Sequence, residues 1–210
     1  MTLERLEPAV ARSALRLPGS TFLRNLAETY ATRVTLIVVG LATTVIVTRA
    51  LGPSGRGLFA LAATVTTLGI QFGNFGSHAS NTYYISREPE ILPSIFGNAL
   101  FVSFGIGLAG VCAAAILFLA APAAAPVSGA PLALALIAIP FGLGAMLQQN
   151  LLIAIDRVRA ANLTDLLTKV GVLGILVVLL VYRGLSPSAA LAAYLAGYVA
   201  AFCWTFSVVL

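Results

Sequence analysis

Long apolar runs alternate along this chain with short polar breaks, and the spacing is that of membrane crossings. A crossing needs about 20 apolar residues. Six windows reach that length: 27–48, 57–85, 92–120, 132–155, 163–182 and 188–210. The breaks between them read "LGPSGRG", "SREPEILP", "APAAAPVSGAP", "DRVRAAN" and "RGLSPS". Pro and Gly punctuate most of them, so they predict turns. With such short loops, neighbouring spans should pack antiparallel. The pattern predicts an all-α integral membrane protein with six transmembrane helices over residues 27–210. Residues 1–26 form a cytosolic or interfacial N-terminal tail.

The second window is not uniformly apolar. At about 100° per residue, Thr64, Thr67, Gln71, Asn74, His78, Asn81 and Thr82 fall on one arc of a helix. Gly69, Gly73, Gly76 and Ser80 lie roughly opposite, and Gly69-x-x-x-Gly73 has the spacing that lets two helices approach closely. Amides and an imidazole against lipid are costly, so the polar stripe should face protein or a wet cavity. Interhelical hydrogen bonds, worth about 0.6 kcal/mol each, would also account for any one of these residues. The stripe as a whole favours a cavity.

Other windows add candidates. Arg33 falls one to two turns inside the first span, sharing a face with Thr29, Gly40 and Thr44. It can snorkel to the interface or line the same cavity, where its planar fork suits phosphate. The fourth span carries Pro140, expected to kink it, followed by Gln148 and Gln149. Asp165 and Lys169, spaced i,i+4 near the start of the fifth span, read as a local ion pair. The candidate substrate contacts are therefore Arg33, Thr44, Gln71, Asn74, His78, Asn81 and Gln148.

Composition agrees with the pattern. The chain is 60% hydrophobic and 9% charged, against about 25% charged in soluble domains. Its mean hydropathy is +1.00. The net charge of +5 does not mark a nucleic-acid binder, because the basic residues are scattered between apolar spans instead of forming one face. They fit loops. With the N-terminus in the cytoplasm, Arg5, Arg12, Arg16, Arg24, Arg87, Arg157, Arg159 and Lys169 lie inside. Arg49, Arg56 and Arg183 lie outside, and this bias sets the orientation. The first twenty residues lack the apolar core of a signal peptide. Cys112 and Cys203 have neither metal-site nor disulfide-framework spacing and read as buried free thiols.

Enzyme chemistry finds little purchase. The seven carboxylates lie mostly in the tail and loops. No HExxH, GxSxG or phosphate-binding loop occurs. No catalytic residue, metal or cofactor is expected.

"TRALGPSGRGLFALAATVTTL", then "GSHASNTYYISRE", then "NLLIAIDRVRAANLTDLL" resemble the lipid-linked oligosaccharide flippases of the polysaccharide transporter family. The first of these contains an R-x-LG-x-x-G-x-G turn: Arg49, Leu51, Gly52, Gly55 and Gly57. The resemblance implies membership of the multidrug/oligosaccharidyl-lipid/polysaccharide exporter superfamily, whose fold pairs two six-helix lobes around a central cavity. This chain would be the N-terminal lobe, the second lobe being absent and the chain truncated. The implied substrate is a polyprenyl-pyrophosphate-linked glycan, flipped across the bacterial cytoplasmic membrane for cell-surface polysaccharide biosynthesis. The implied partners are membrane lipid, a polysaccharide polymerase and glycosyltransferases. By position in the first helix, Arg33 would meet the pyrophosphate. Two other readings stand beside it: a cation-coupled drug antiporter of the same superfamily, and a non-transporting membrane fragment or scaffold.

Overall fold

The computed structural model describes residues 20–209, with side chains from Ala27 onward apart from those of residues 77–79, 82 and 86. Most of the tail expected over residues 1–26 lies outside the described residues, although the first helix already begins at Ser20. Five described stretches are long and apolar enough to cross a membrane: Ala27–Asn74, Pro89–Ala120, Ala130–Ala154, Val158–Tyr182 and Pro187–Val209. Helices dominate the described residues, which form a multi-pass bundle.

The first stretch is too long for one crossing, since its 48 residues would extend about 70 Å against an apolar layer of about 30 Å. It breaks at Gly52, whose φ of 66° and ψ of −177° fall where only glycine sits without strain. Pro53 follows. The break separates α1 (residues 20–51) from α2 (residues 53–74), at the turn that "LGPSGRG" predicts. After α2 come α3 (Ser77–Arg87), α4 (Leu92–Leu100) and α5 (Gly107–Ala120). A π-helical turn, Phe101–Ile106, joins α4 to α5. Then come α6 (Ala130–Ala154), α7 (Val158–Tyr182) and α8 (Pro187–Val209).

Side-chain contacts give the directions. Thr66 of α2 donates to the Ala135 carbonyl of α6, and Gly69 and Gly73 face Ile139 and Leu143. Numbers rise together, so α2 and α6 are parallel. Gly142, Gly144 and Gln148 meet Tyr198, Phe202 and Thr205, which makes α8 parallel to them. Val172 lies on Gly197 and Leu176 clusters with Ala190 and Ala193, so α7 runs the other way. Glu28 and Thr29 bind Arg159 and Asn162, while Val47 clusters with Val172 and Leu176. Hence α1 follows α7, and the chain reverses at Gly52. The α4–α5 rod is antiparallel to α6, with Gly107 against Pro140 and Ser103 against Gly144.

α6 is the central helix, buried along much of its length. Its glycines let neighbours in: an added Cβ at Gly144 would stand 2.8 Å from the Phe202 ring. Pro140 sits inside it. Having no N–H, it deprives the Leu136 carbonyl of a donor, and the Thr66 hydroxyl binds the adjoining Ala135 carbonyl at 2.9 Å. Beside Gly107, the π-helical turn points Ser103 into the core, where its hydroxyl donates to the Ala99 carbonyl at 2.8 Å.

Two expectations change. The second span is not one helix: Phe75 and Gly76 take φ of 44° and 74°, ending α2 and restarting the helical phase. Cys112 and Cys203 are exposed on the outer surface of the bundle instead of buried.

Candidate functional site: a cavity among four helices

Small residues leave a gap where α1, α6, α7 and α8 meet. Gly40, Gly142, Ala145 and Ala201 contribute little volume, and the gap is a cavity of about 360 Å³. Its wall is mainly apolar surface, with a minority of polar groups set in it. It includes Thr43 and Thr44 of α1, Gln149 of α6, Thr164, Asp165, Thr168 and Lys169 of α7, and Tyr194 and Tyr198 of α8.

The hydroxyls are oriented by their own helices. Thr43 and Thr44 donate to the carbonyls of Val39 and Gly40. Thr164 and Thr168 do the same to Ala160 and Thr164. Their protons are thus spent on backbone, and their oxygen lone pairs are what the cavity receives. Gln149 spends an amide proton on the Ala161 carbonyl at 2.9 Å. The remaining donors on the wall are the second Gln149 amide proton, the Tyr194 and Tyr198 phenols and the Lys169 ammonium.

Lys169 does not sit where the sequence suggests. A span starting at residue 163 puts it near the membrane surface. α7 begins at Val158 and ends at Tyr182, which places Lys169 at the middle of the helix, about 16 Å from its start. Lys169 is exposed on α7, so in a bilayer it costs about 2.5–3.5 kcal/mol on insertion scales where neither water nor an anion meets it. Nor is Asp165 given up to Lys169. The ion pair it makes is with Arg33 of α1, at 3.5 Å. Among the described residues, no carboxylate lies within ion-pair distance of Lys169.

Arg33 belongs to a polar ladder that joins α1 to α7 at one end. Arg159 grips Glu28 through two bonds, Nε to Oε2 at 2.7 Å and Nη2 to Oε1 at 2.5 Å. Asn162 Nδ2 donates to Thr29 Oγ1 at 3.2 Å, and Arg33 reaches Asp165. The Arg33 and Arg159 side chains are 65% and 60% exposed, so each ion pair contributes only about 0.2–1 kcal/mol.

The other sequence candidates scatter. Thr44 lines the cavity. Gln148 is turned about 100° from Gln149 on α6 and off the cavity wall, fully buried, its Oε1 accepting from Thr205 at 2.7 Å and its Nε2 without a partner. Gln71 is exposed on α2, Asn74 is buried at the end of that helix, and Asn81 is buried on α3 beyond the break. The His78 and Thr82 side chains lie outside the described residues. Thr64 and Thr67 are exposed and bound to their own helix. Thr67 also lines a second pocket of about 60 Å³, with Thr66, Tyr194 and Tyr198, so the two tyrosines form a wall common to both spaces.

Sequence reasoning thus missed Lys169, Tyr194 and Tyr198 as members of a site. The signal was present as i,i+4 pairs, Thr164 with Thr168 and Tyr194 with Tyr198, each putting two polar groups on one helix face. Among the described residues no three of His, Cys, Asp and Glu gather as a metal site.

The profile of the family described as polysaccharide biosynthesis protein covers residues 24–210. No curated protein and no solved structure matches the chain.

Proposed function

The chain belongs to the polysaccharide biosynthesis protein family, and on that premise we propose that it moves a polyprenyl-pyrophosphate-linked oligosaccharide across the bacterial cytoplasmic membrane. In this reading α1, α2, the α4–α5 rod, α6, α7 and α8 make six crossings and form the N-terminal lobe of a two-lobed flippase. The N-terminus is cytoplasmic. With Lys169 removed from the inner loops, seven basic residues still stand inside against three outside, which keeps the same orientation.

The observation that carries this reading is Lys169, an ammonium without an ion partner among the described residues, on the wall of a cavity in an otherwise apolar bundle. Such a group calls for an anion, and a pyrophosphate headgroup supplies one while its lipid tail stays in the bilayer. The tyrosine phenols add neutral donors, and the threonine and glutamine oxygens accept from sugar hydroxyls. Arg33 stands at the edge of the same site through Asp165. Gln71, Asn74, His78 and Asn81 would meet the glycan from the α2–α3 side, apart from this cavity. A glycosyltransferase would supply the substrate and a polymerase would receive it.

The test is translocation of lipid-linked glycan by the full-length protein in vesicles. Lys169→Met should lower transport tenfold or more, and Lys169→Arg should retain a measurable part. Unchanged transport by Lys169→Met would sink the reading.

One observation favours a second reading. Asp165 gives the cavity a carboxylate, which a cation-coupled antiporter requires. Its contact with Arg33 weighs against it, since a guanidinium already occupies the place a cation would take. Abolition of drug efflux by Asp165→Asn, with glycan transport absent in the parent protein, would select this alternative.

A further inference from the structure

A lining of small side chains and hydroxyls sets apart the second pocket, which lies between α2, α6 and α8. Its volume is about 60 Å³. At roughly 15 Å³ for an atom the size of a water molecule, that is room for about four heavy atoms. The methyl groups of Ala63, Ala135 and Ala138 make its floor. At one end Ala62, Val127 and Leu191 pack with Ala135 into an apolar cluster, and the pocket stops there. Thr66 gives its hydroxyl proton to the Ala135 carbonyl and Thr67 gives its own to the Ala63 carbonyl, each at 2.9 Å. What both have left to offer is oxygen lone pairs. The donors on this wall are the Tyr194 and Tyr198 phenols. Phe59 holds the Tyr194 ring edge-on, with centroids 5.3 Å apart, and Tyr198 rests on Gly142. Thr67 is exposed, and Thr64 and Gln71, also exposed, stand a turn to either side of it on α2. The pocket thus lies beside the polar stripe of that helix.

We infer that this pocket is a subsite for the acetamido group of an N-acetylated sugar. The inference rests on the transport reading for the presence of a glycan, and deepens it by naming one feature of that glycan. An acetamido group, N–CO–CH₃, fills the volume. Its N–H needs an acceptor, which Thr66 or Thr67 supplies. Its carbonyl needs a donor, which a tyrosine phenol supplies. Its methyl needs an apolar floor, which the alanines supply. The sugar ring stays outside, along Thr64, Thr67 and Gln71. A plain hydroxyl in the same place leaves the alanine floor uncovered. A protonated amine brings a charge into a pocket whose lining holds no carboxylate, and an unpaired charge there is costly. The subsite therefore sorts sugars by their substituent and makes no demand on Lys169.

The test reads occupancy of the pocket directly, in the full chain with Cys112→Ala and Cys203→Ala and with Ala63→Cys as reporter. The probes are a polyprenyl pyrophosphate bearing a single N-acetylhexosamine and one bearing the parent hexose. The first should protect the reporter thiol from methanethiosulfonate at a concentration at least about tenfold lower than the second, the discrimination expected for a methyl group set in an apolar pocket. Thr66→Val should cut that preference to about threefold or less, as loss of a hydrogen bond does, and Thr66→Ser should keep it. Ala138→Leu, which fills the pocket, should erase it. Equal protection by the two probes, protection by neither, or a preference that survives both Thr66→Val and Ala138→Leu would overturn the inference. Translocation is scored separately in vesicles. Selective protection with neither probe moved keeps the subsite and removes the transport reading; equal protection with both probes moved keeps transport and removes the subsite.

Discussion

Arg33 and Lys169 exchange roles between sequence and structure, and the reason is local. Arg33 takes its carboxylate partner from α7, 132 positions along the chain. Lys169 looked paired because Asp165 stands one turn before it. Side-chain choice between a neighbour and a distant partner is a tertiary matter that periodicity does not carry. Gln148 shows the same limit. Beside Gln149 in sequence, it points away from the cavity and into a contact with Thr205. Gln148→Met should therefore leave glycan transport within about twofold of the parent protein. Thr205→Val alone should lower thermal stability in detergent, since it strands the buried Gln148 carbonyl at a cost of about 1–3 kcal/mol. The double variant should recover most of that loss.

Among the elements, those set by hydrophobic windows were legible, and so was the turn at "LGPSGRG". The helix break after Asn74 was not. Gly73 and Gly76 flank "NF" and signal a turn, but a stripe of constant helical phase runs straight through them. Gly76 sits at φ of 74°, so Gly76→Ala should cost about 1 kcal/mol or more even though the space around it is open. Gly197→Ala should destabilise by a different route. Its Cβ would press on Val172, and overpacking of this kind costs about 1–3 kcal/mol. Melting curves of the two variants, each combined with Val172→Ala, separate the causes: the smaller neighbour should rescue Gly197→Ala and leave Gly76→Ala unchanged.

In the whole molecule, α1 lies parallel to α7, and α2 and α8 lie parallel to α6. Loop lengths predict that neighbours along the chain alternate in direction, as they do here, but they do not say which non-neighbours touch. The cavity depends on that second kind of contact, and so, among the described side chains, only Thr44 of the expected substrate residues lies on its wall. The family resemblance, by contrast, was legible from three short segments and covers nearly the whole chain. Because the charged ladder is largely exposed, its hold on α1 should weaken with ionic strength. Hydrogen exchange at the outer turns of α1 should quicken between low and high salt, while exchange in α6 stays unchanged.

Gly52 adds a mechanical consequence to the fold. It is the single non-helical residue between two long helices, so the join has no slack. Arg33 lies nineteen positions from it, an arm of about 28 Å. A tilt of about ten degrees at that fulcrum would carry the far end of α1 about 5 Å sideways, more than the 3.5 Å that separates Arg33 from Asp165. The same tilt moves Val47, five positions from Gly52, only about 1.3 Å, so the displacement is largest at the ladder. The same rigid join would carry part of that rotation into α2, turning a displacement at the membrane surface into torque on the helix that rests on α6.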